Sequence, residues 1–253
     1  MLSKNKQKYI RSLSQKKYRD EENVFIAEGP KLVEELMEHF QCLLLVKTSD
    51  YSGLFKLQAE TEVIEVNQME LTKVSNLKTP QSVLAVFKKP AQRTINQKEI
   101  CKSLCLALDA IQDPGNLGTI IRIADWFGIE HIFCSPDTAD AFSPKTIQAT
   151  MGAIGRVKIY YLPLKEFISS LPKDYPVYGT FLNGEDIYRK PLKTAALVVM
   201  GNEGNGISPE IEKLVSDKIL IPNFPAGRET SESLNVAVAT AITCAEFRRQ
   251  SSI

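Results

Sequence analysis

Three short segments hold the residues whose types and spacing could do chemistry. In the first, the turn signal Asp113-Pro114-Gly115-Asn116 precedes a helical run from Thr119, which places Asn116 in the turn and Arg122 one turn inside the helix. The second, Gly201-Asn202-Glu203-Gly204-Asn205-Gly206, follows the apolar Val198-Val199-Met200. Its three glycines let a ligand come close to the backbone. The G-x-x-G-x-G spacing is neither the dinucleotide fingerprint G-x-G-x-x-G nor the phosphate loop that ends in G-K-S/T. The third runs from Ile221-Pro222 through Gly227 to Ser231-Glu232-Ser233-Leu234-Asn235. There Ser233 is a competent N-cap, and Asn235 in the first turn of an apolar helix faces either solvent or a ligand. His39 and His131 stand in no spaced cluster with cysteine or carboxylate, and the five cysteines form no C-x-x-C pair. Metal and histidine-triad chemistry therefore has little to work with, and no metal is expected.

These segments need strands to deliver them. Apolar runs recur at Leu104 to Leu108, His131 to Cys134, Val157 to Tyr161, Val177 to Thr180, Ala196 to Met200 and Ile219 to Ile221, with helical stretches between several of them. That alternation predicts an α/β fold with a mostly parallel sheet, whose ligands collect beyond the carboxyl ends of its strands. The terminal helix, Leu234 to Arg249, is apolar nearly all round and should be buried against the sheet or a partner. A small α/β domain precedes this one. Its strand candidates are Val24 to Ala27, Leu43 to Val46, Val63 to Val66 and Val83 to Phe87, with helical pieces at Lys4 to Lys17, Lys31 to Phe40, near Leu54 and at Met69 to Val74. The expected division is residues 1–90, a linker at 91–100, and 101–253.

Length and composition bound the class. A chain of 253 residues divided by about 150 per domain favours two domains. With 43% hydrophobic and 24% charged residues it is an ordinary globular chain, not a collagen-like or disordered one. No apolar run nears the ~18 residues of a membrane span, and Met1-Leu2-Ser3-Lys4 lacks the apolar core of a signal peptide, so the cytoplasm is expected. The net charge of +1 hides an asymmetry: seven of the 31 Lys and Arg fall in residues 1–19 with no acid, leaving 24 against 30 acids. Such a basic segment reads either as a nucleic-acid contact or as a solvated tail.

Together, Asn116 with Arg122, the Gly201-x-Glu203-Gly204-x-Gly206 turn, and Ile221-Pro222 followed by Ser233-Leu234-Asn235 resemble the three motifs of the SpoU-type (TrmH-like) RNA ribose 2′-O-methyltransferases of the SPOUT class. The likeness covers residues from about 104 to 250. More weakly, Val24 to Gly29 and the Leu36 helix resemble the small RNA substrate-binding domain found in many members. The resemblance implies a deep trefoil knot, S-adenosylmethionine as cofactor, RNA as substrate with ribosomal ahead of transfer RNA, and a homodimer whose active site draws on both subunits. It implies cofactor contacts at Thr180, Gly201, Gly204, Gly206, Ile221 and Leu234, and a catalytic set of Asn116, Arg122, Glu203, Ser233 and Asn235. The stretch 223–230 makes the third motif longer than the family pattern. A guanidinium is protonated at any physiological pH, so phosphate anchoring and hydroxyl orientation stand beside a base role for Arg122. The alternatives are a member of the fold that binds RNA or cofactor without turnover, and a nucleotide-dependent oxidoreductase, which lacks its fingerprint here.

Overall fold

The computed structural model describes residues 2–53, 55–91, 94–225 and 233–251. Met1–Gln92 with Asp140–Gly155 form one compact unit, and Arg93–Ala139 with Arg156–Ile253 form another.

In the first unit, α1 (Lys4–Ser12) is capped by Ser3 and buries Ile10. The Lys4 to Lys17 stretch is two helices, because α2 (Lys16–Glu21) starts afresh after Leu13 and Ser14. The carbonyls released at the break are taken by the buried Arg19 guanidinium, at 2.8 Å from Leu13 and 2.7 Å from Ser14. An end buried in this way needs such a donor. The chain continues through β1 (Val24–Glu28), α3 (Pro30–Met37), β2 (Cys42–Thr48), β3 (Glu62–Val66), α4 (Gln68–Thr72) and β4 (Val83–Lys88). The sheet order is β1-β4-β2-β3, with β4 antiparallel to both neighbours and β3 parallel to β2. No helix forms at 51–53 or 55–60; Leu54 lies outside the described residues. Ser52 and Gly53 are poor helix formers, which accounts for the difference.

The second unit opens with α5 (Gln97–Ile100) inside the segment read as a linker. Asn96 caps it and Ile100 anchors it in the core. Then follow β5 (Leu104–Leu108), α6 (Pro114–Trp126) and β6 (His131–Cys134). Next come α7 (Pro144–Thr150), which packs within the first unit, β7 (Lys158–Tyr161), α8 (Leu164–Ser169), β8 (Val177–Asp186), β9 (Ala196–Met200), α9 (Pro209–Glu212), β10 (Asp217–Leu220) and α10 (Val236–Ser251). Although α7 falls late in the chain, its approach seats Phe142 on Phe25 with ring centroids 5.1 Å apart, and Asp140 meets Arg19 at 2.7 Å.

The six strands are paired in parallel in the order β10-β8-β9-β5-β6-β7. Both β5 and β9 are buried along their whole length, as sheets covered on both faces require. From β5 the sheet grows one way through β6 and β7, and from β9 the other way through β8 and β10. The β5/β9 pair is therefore the topological switch point, where a crevice opens beyond the carboxyl ends. The strands put Asp109 and Gly201 side by side there, since Leu108 pairs with Met200. Alongside α6 and parallel to it runs α10: Asn235 meets Asn116 at its start, and Arg248 donates to the Phe127 carbonyl at its end. The helix is less uniformly apolar than its sequence suggests, because its buried residues include Thr240, Thr243 and Glu246 while Val238 is 49% exposed.

Candidate active site

A cavity of about 620 Å³ opens on the β9 side of the switch point, among β8, the ends of β9 and β10 and the entrance of α10. Thr180, Gly201, Gly204, Gly206, Ile221 and Leu234 all line it, as do Glu203 and Ser233. Its wall is the glycine turn, closed by paired backbone bonds between Asn202 and Gly206. A Cβ on Gly201 would sit well inside contact with the Gly206 carbonyl carbon and the Ile207 nitrogen, and Gly206 adopts φ +70°. Both positions therefore require glycine. Two residues that the motif reading passed over hold the turn in place. Asn202 donates to the Ala110 carbonyl at 2.7 Å and accepts from the Gly204 and Asn205 amides at 2.9 and 3.0 Å. Buried Asp109 accepts the Ser208 amide at 2.7 Å. Their sequence signal was only position: each lies within two residues of the end of a central strand.

At the rim the three segments are hydrogen-bonded to one another. Glu203 accepts from the Gln112 amide (3.2 Å), the Asp113 amide (3.3 Å) and the Asn116 side-chain amide (3.0 Å). Asn116 Oδ1 in turn accepts from Asn235 Nδ2 at 3.0 Å. Asn235 Oδ1 caps α10 by accepting from Ala237 (3.0 Å) and Val238 (3.3 Å). The cap is thus Asn235 rather than Ser233, and it fixes which way every amide in the chain points. Asn116 lies inside the first turn of α6, because Pro114 suits the first helical position and Asp113 is the cap, accepting the Asn116 amide at 2.9 Å.

Arg122 joins none of these bonds. It is exposed, lies about 9 Å further along α6 than Asn116 and about 120° round it, and shares its face with Trp126, which is 85% exposed. The structure therefore brings Asn116, Glu203 and Asn235 together, sets Ser233 at the cavity wall, and turns Arg122 outward from its own cavity.

Burial alone would raise the Glu203 carboxyl. The donors from Asn116, Gln112 and Asp113 outweigh it and hold the group below its ordinary value. With a depressed folded value, this carboxylate stabilises the fold fully above the ordinary glutamate pKa of about 4.3, and that contribution is lost as pH falls through the folded value. Because Glu203 is exposed and solvent screens its bonds, Glu203→Gln should lower Tm by only about 1–2 °C at pH 7, as a loss of about 0.5 kcal/mol does in a chain of this size. Calorimetry across pH should show that gap closing toward pH 3; a gap independent of pH would contradict the ionised staple.

Fold and site together define a class: an α/β protein with a ligand-sized cavity over the carboxyl ends of a parallel sheet and a hydrogen-bonded rim of polar side chains. Residues 103–245 match the SpoU rRNA methylase family, and residues 4–85 match the MRM3-like substrate binding domain. The chain belongs to the SpoU rRNA methylase family. It is 30% identical over 241 residues to the 23S rRNA (guanosine(2553)-2′-O)-methyltransferase RlmP of Bacillus subtilis, covering 94% of each chain. A TrmH-family protein from Porphyromonas gingivalis superposes with a TM-score of 0.89 at 42% identity, covering 99% of both chains. The AdoMet-bound rRNA methyltransferase from Sinorhizobium meliloti superposes with a TM-score of 0.81 at 31% identity, covering 98% of this chain and 96% of that one.

Proposed function

We propose that this protein transfers a methyl group from S-adenosylmethionine to a ribose 2′-hydroxyl of RNA, ribosomal RNA in particular, and acts as a homodimer in the cytoplasm. The observation that carries the reading is the cavity at the ends of β9 and β10, walled by a turn in which a Cβ at Gly201 cannot be accommodated, beside the Asn235–Asn116–Glu203 chain. Its volume is right for a nucleoside-sized ligand, and Phe181, Leu182 and Leu234 offer apolar surface among exposed backbone groups. When bound, the cofactor supplies an electrophilic sulfonium methyl. What remains for the protein is proximity, alignment and management of the hydroxyl proton. Asn116 and Asn235, locked by their mutual bond, hold the rim in a single geometry. Ser233 at the wall and Arg122 are the groups that meet the ribose and its phosphate.

The outward direction of Arg122, which lines no part of its own cavity, supports a composite site in which it meets the cavity of a second copy of the chain. Trp126 on the same face of α6, and Val238 and Ala245 one i,i+7 step apart on α10, are exposed apolar positions of the kind two copies bury. The family likeness supports a trefoil knot in the second domain, with residues 1–90 as the RNA substrate-binding domain, 91–100 as linker and 101–253 as the methyltransferase domain. Among the described residues no cluster could hold a metal, and no helix is long and apolar enough to cross a membrane.

Methyl transfer from labelled S-adenosylmethionine to total RNA, with the labelled nucleotide then identified, tests the reaction. S-Adenosylmethionine at one hundred times its Kd should stabilise the fold by about 2.7 kcal/mol in a thermal melt, while NAD and ATP should not. Stabilisation by NAD, or label on bases instead of ribose, would overturn the proposal.

A further inference from the structure

We infer that the exposed faces of α1 and α2 form an RNA phosphate-binding surface built from Lys4, Lys8, Arg11 and Lys16. The inference rests on the RNA-acting reading above and adds where the substrate's backbone lies on the first unit.

Residues 2–19 are part of the fold and not a solvated tail. Leu2, Ile10 and Leu13 are buried in one core with Val24, Ile26, Leu44 and Val46. Arg19 is 2% exposed and ties the α1–α2 corner to Asp140. Two of the seven cations are therefore already occupied by structure: Arg19 in this way, and Lys6 by Glu62 at 2.6 Å. A third, Lys17, lies 3.8 Å from Glu21 and 5.8 Å from the Tyr18 ring centroid.

The other four, Lys4, Lys8, Arg11 and Lys16, are exposed and make no ion pair with any described residue. The first three are spaced i, i+4, i+7, so they form one stripe along α1, rising about 6 Å and then about 4.5 Å. Lys16 opens the next helix beyond the corner that Arg19 holds. Most of the acids around this stripe are occupied: Asp20 pairs with Lys89 at 2.6 Å, Glu21 with Lys17, Glu62 with Lys6, and Glu70 accepts the Leu2 amide at 3.0 Å, while Glu22, near Tyr9, is exposed and leaves one negative charge beside α1. What faces solvent is a row of cations, without ion pairs among the described residues, on a chain that is otherwise net acidic. Such a row suits the phosphates of a polyanion, which on the reading above is RNA.

The test replaces all four cations with glutamine in the full-length protein, which preserves helix length and polarity. Affinity for protein-free bacterial large-subunit rRNA is then measured across a salt series. Each lost phosphate contact lowers the slope of log affinity against log salt by about 0.7, so a decrease near 3 is expected. S-Adenosylmethionine affinity and the circular-dichroism melt should stay unchanged. A matched control removes four exposed lysines of the second unit, Lys98, Lys102, Lys173 and Lys213, and should leave the slope intact. An unchanged slope in the α1–α2 variant, or an equal fall in the control, would overturn the surface. Absence of methyl transfer by the wild-type protein would instead overturn the functional reading, so the two failures are distinguishable.

Discussion

Arg122→Ala is expected to lower kcat by about two to four orders of magnitude, the usual contribution of a positioned proton-transfer or charge-stabilising group, and to leave S-adenosylmethionine affinity as in the wild type. The affinity is spared because Arg122 lies on the outward face of α6 and lines no part of its own cavity. Arg122→Lys separates two roles. A phosphate anchor is partly rescued by the point charge of lysine, whereas a base gives a shifted pH–rate profile, since lysine titrates lower than a guanidinium. Mixing subunits tests the composite site directly. Arg122→Ala combined in equal amount with a variant whose cavity is blocked should recover about a quarter of wild-type activity. Half of randomly reassorted dimers are mixed, and each of those has one complete site. No recovery after verified subunit exchange would place Arg122 in its own subunit's site.

Gly201→Ala provides that blocked cavity and is the second large effect. The added methyl group would collide with the backbone of Gly206 and Ile207, which no rotamer change relieves. The turn must open, at a cost of about 1–3 kcal/mol, and the wall of the cavity moves with it. S-Adenosylmethionine affinity should fall more than about a hundredfold and the ligand-induced rise in Tm should disappear, both readable by calorimetry. Gly204→Ala is the matched contrast. Its Cβ would meet no closer atom than Asn202 Oδ1, at 3.6 Å, so cofactor affinity should stay within a few-fold of wild type. Equal losses at both positions would mean that loop flexibility, and not close approach, is what the glycines supply.

The central strands were legible in the sequence because they are buried on both faces. Leu104 to Leu108 and Ala196 to Met200 are uninterrupted apolar runs, and the structure forms strands over those same residues. Part of the cavity lining was also legible, since Gly201, Gly204, Gly206 and Ile221 follow strand ends and Leu234 sits at the helix entrance, whereas Thr180 lies inside β8, which runs on to Asp186 beyond the expected strand end. Helix beginnings were less so. Ser233 and Asn235 are both good caps by residue type, and Asn116 looked like a turn residue until Pro114 and Asp113 started α6 two residues before it. Local propensity is nearly equal between such neighbours, so distant contacts decide among them.

The sequence by itself determined the class of fold, the order of the strands along the chain and the three segments that carry chemistry, because burial patterns and glycine spacing are local properties of the chain. Only the tertiary structure decided what those residues do. Glu203 reaches Asn116 across 87 positions and Asn116 reaches Asn235 across 119, a set of bonds that converts three separate motifs into one rim. Arg19, indistinguishable in the sequence from the six other cations beside it, is buried against Asp140, which lies 121 positions away. A side chain's type is fixed by the sequence, but whether it meets water, another residue or a ligand depends on which distant segment packs against it: the ends of β5 and β9 bring Asn116 and Glu203 together, and the return of the chain at Asp140 buries Arg19.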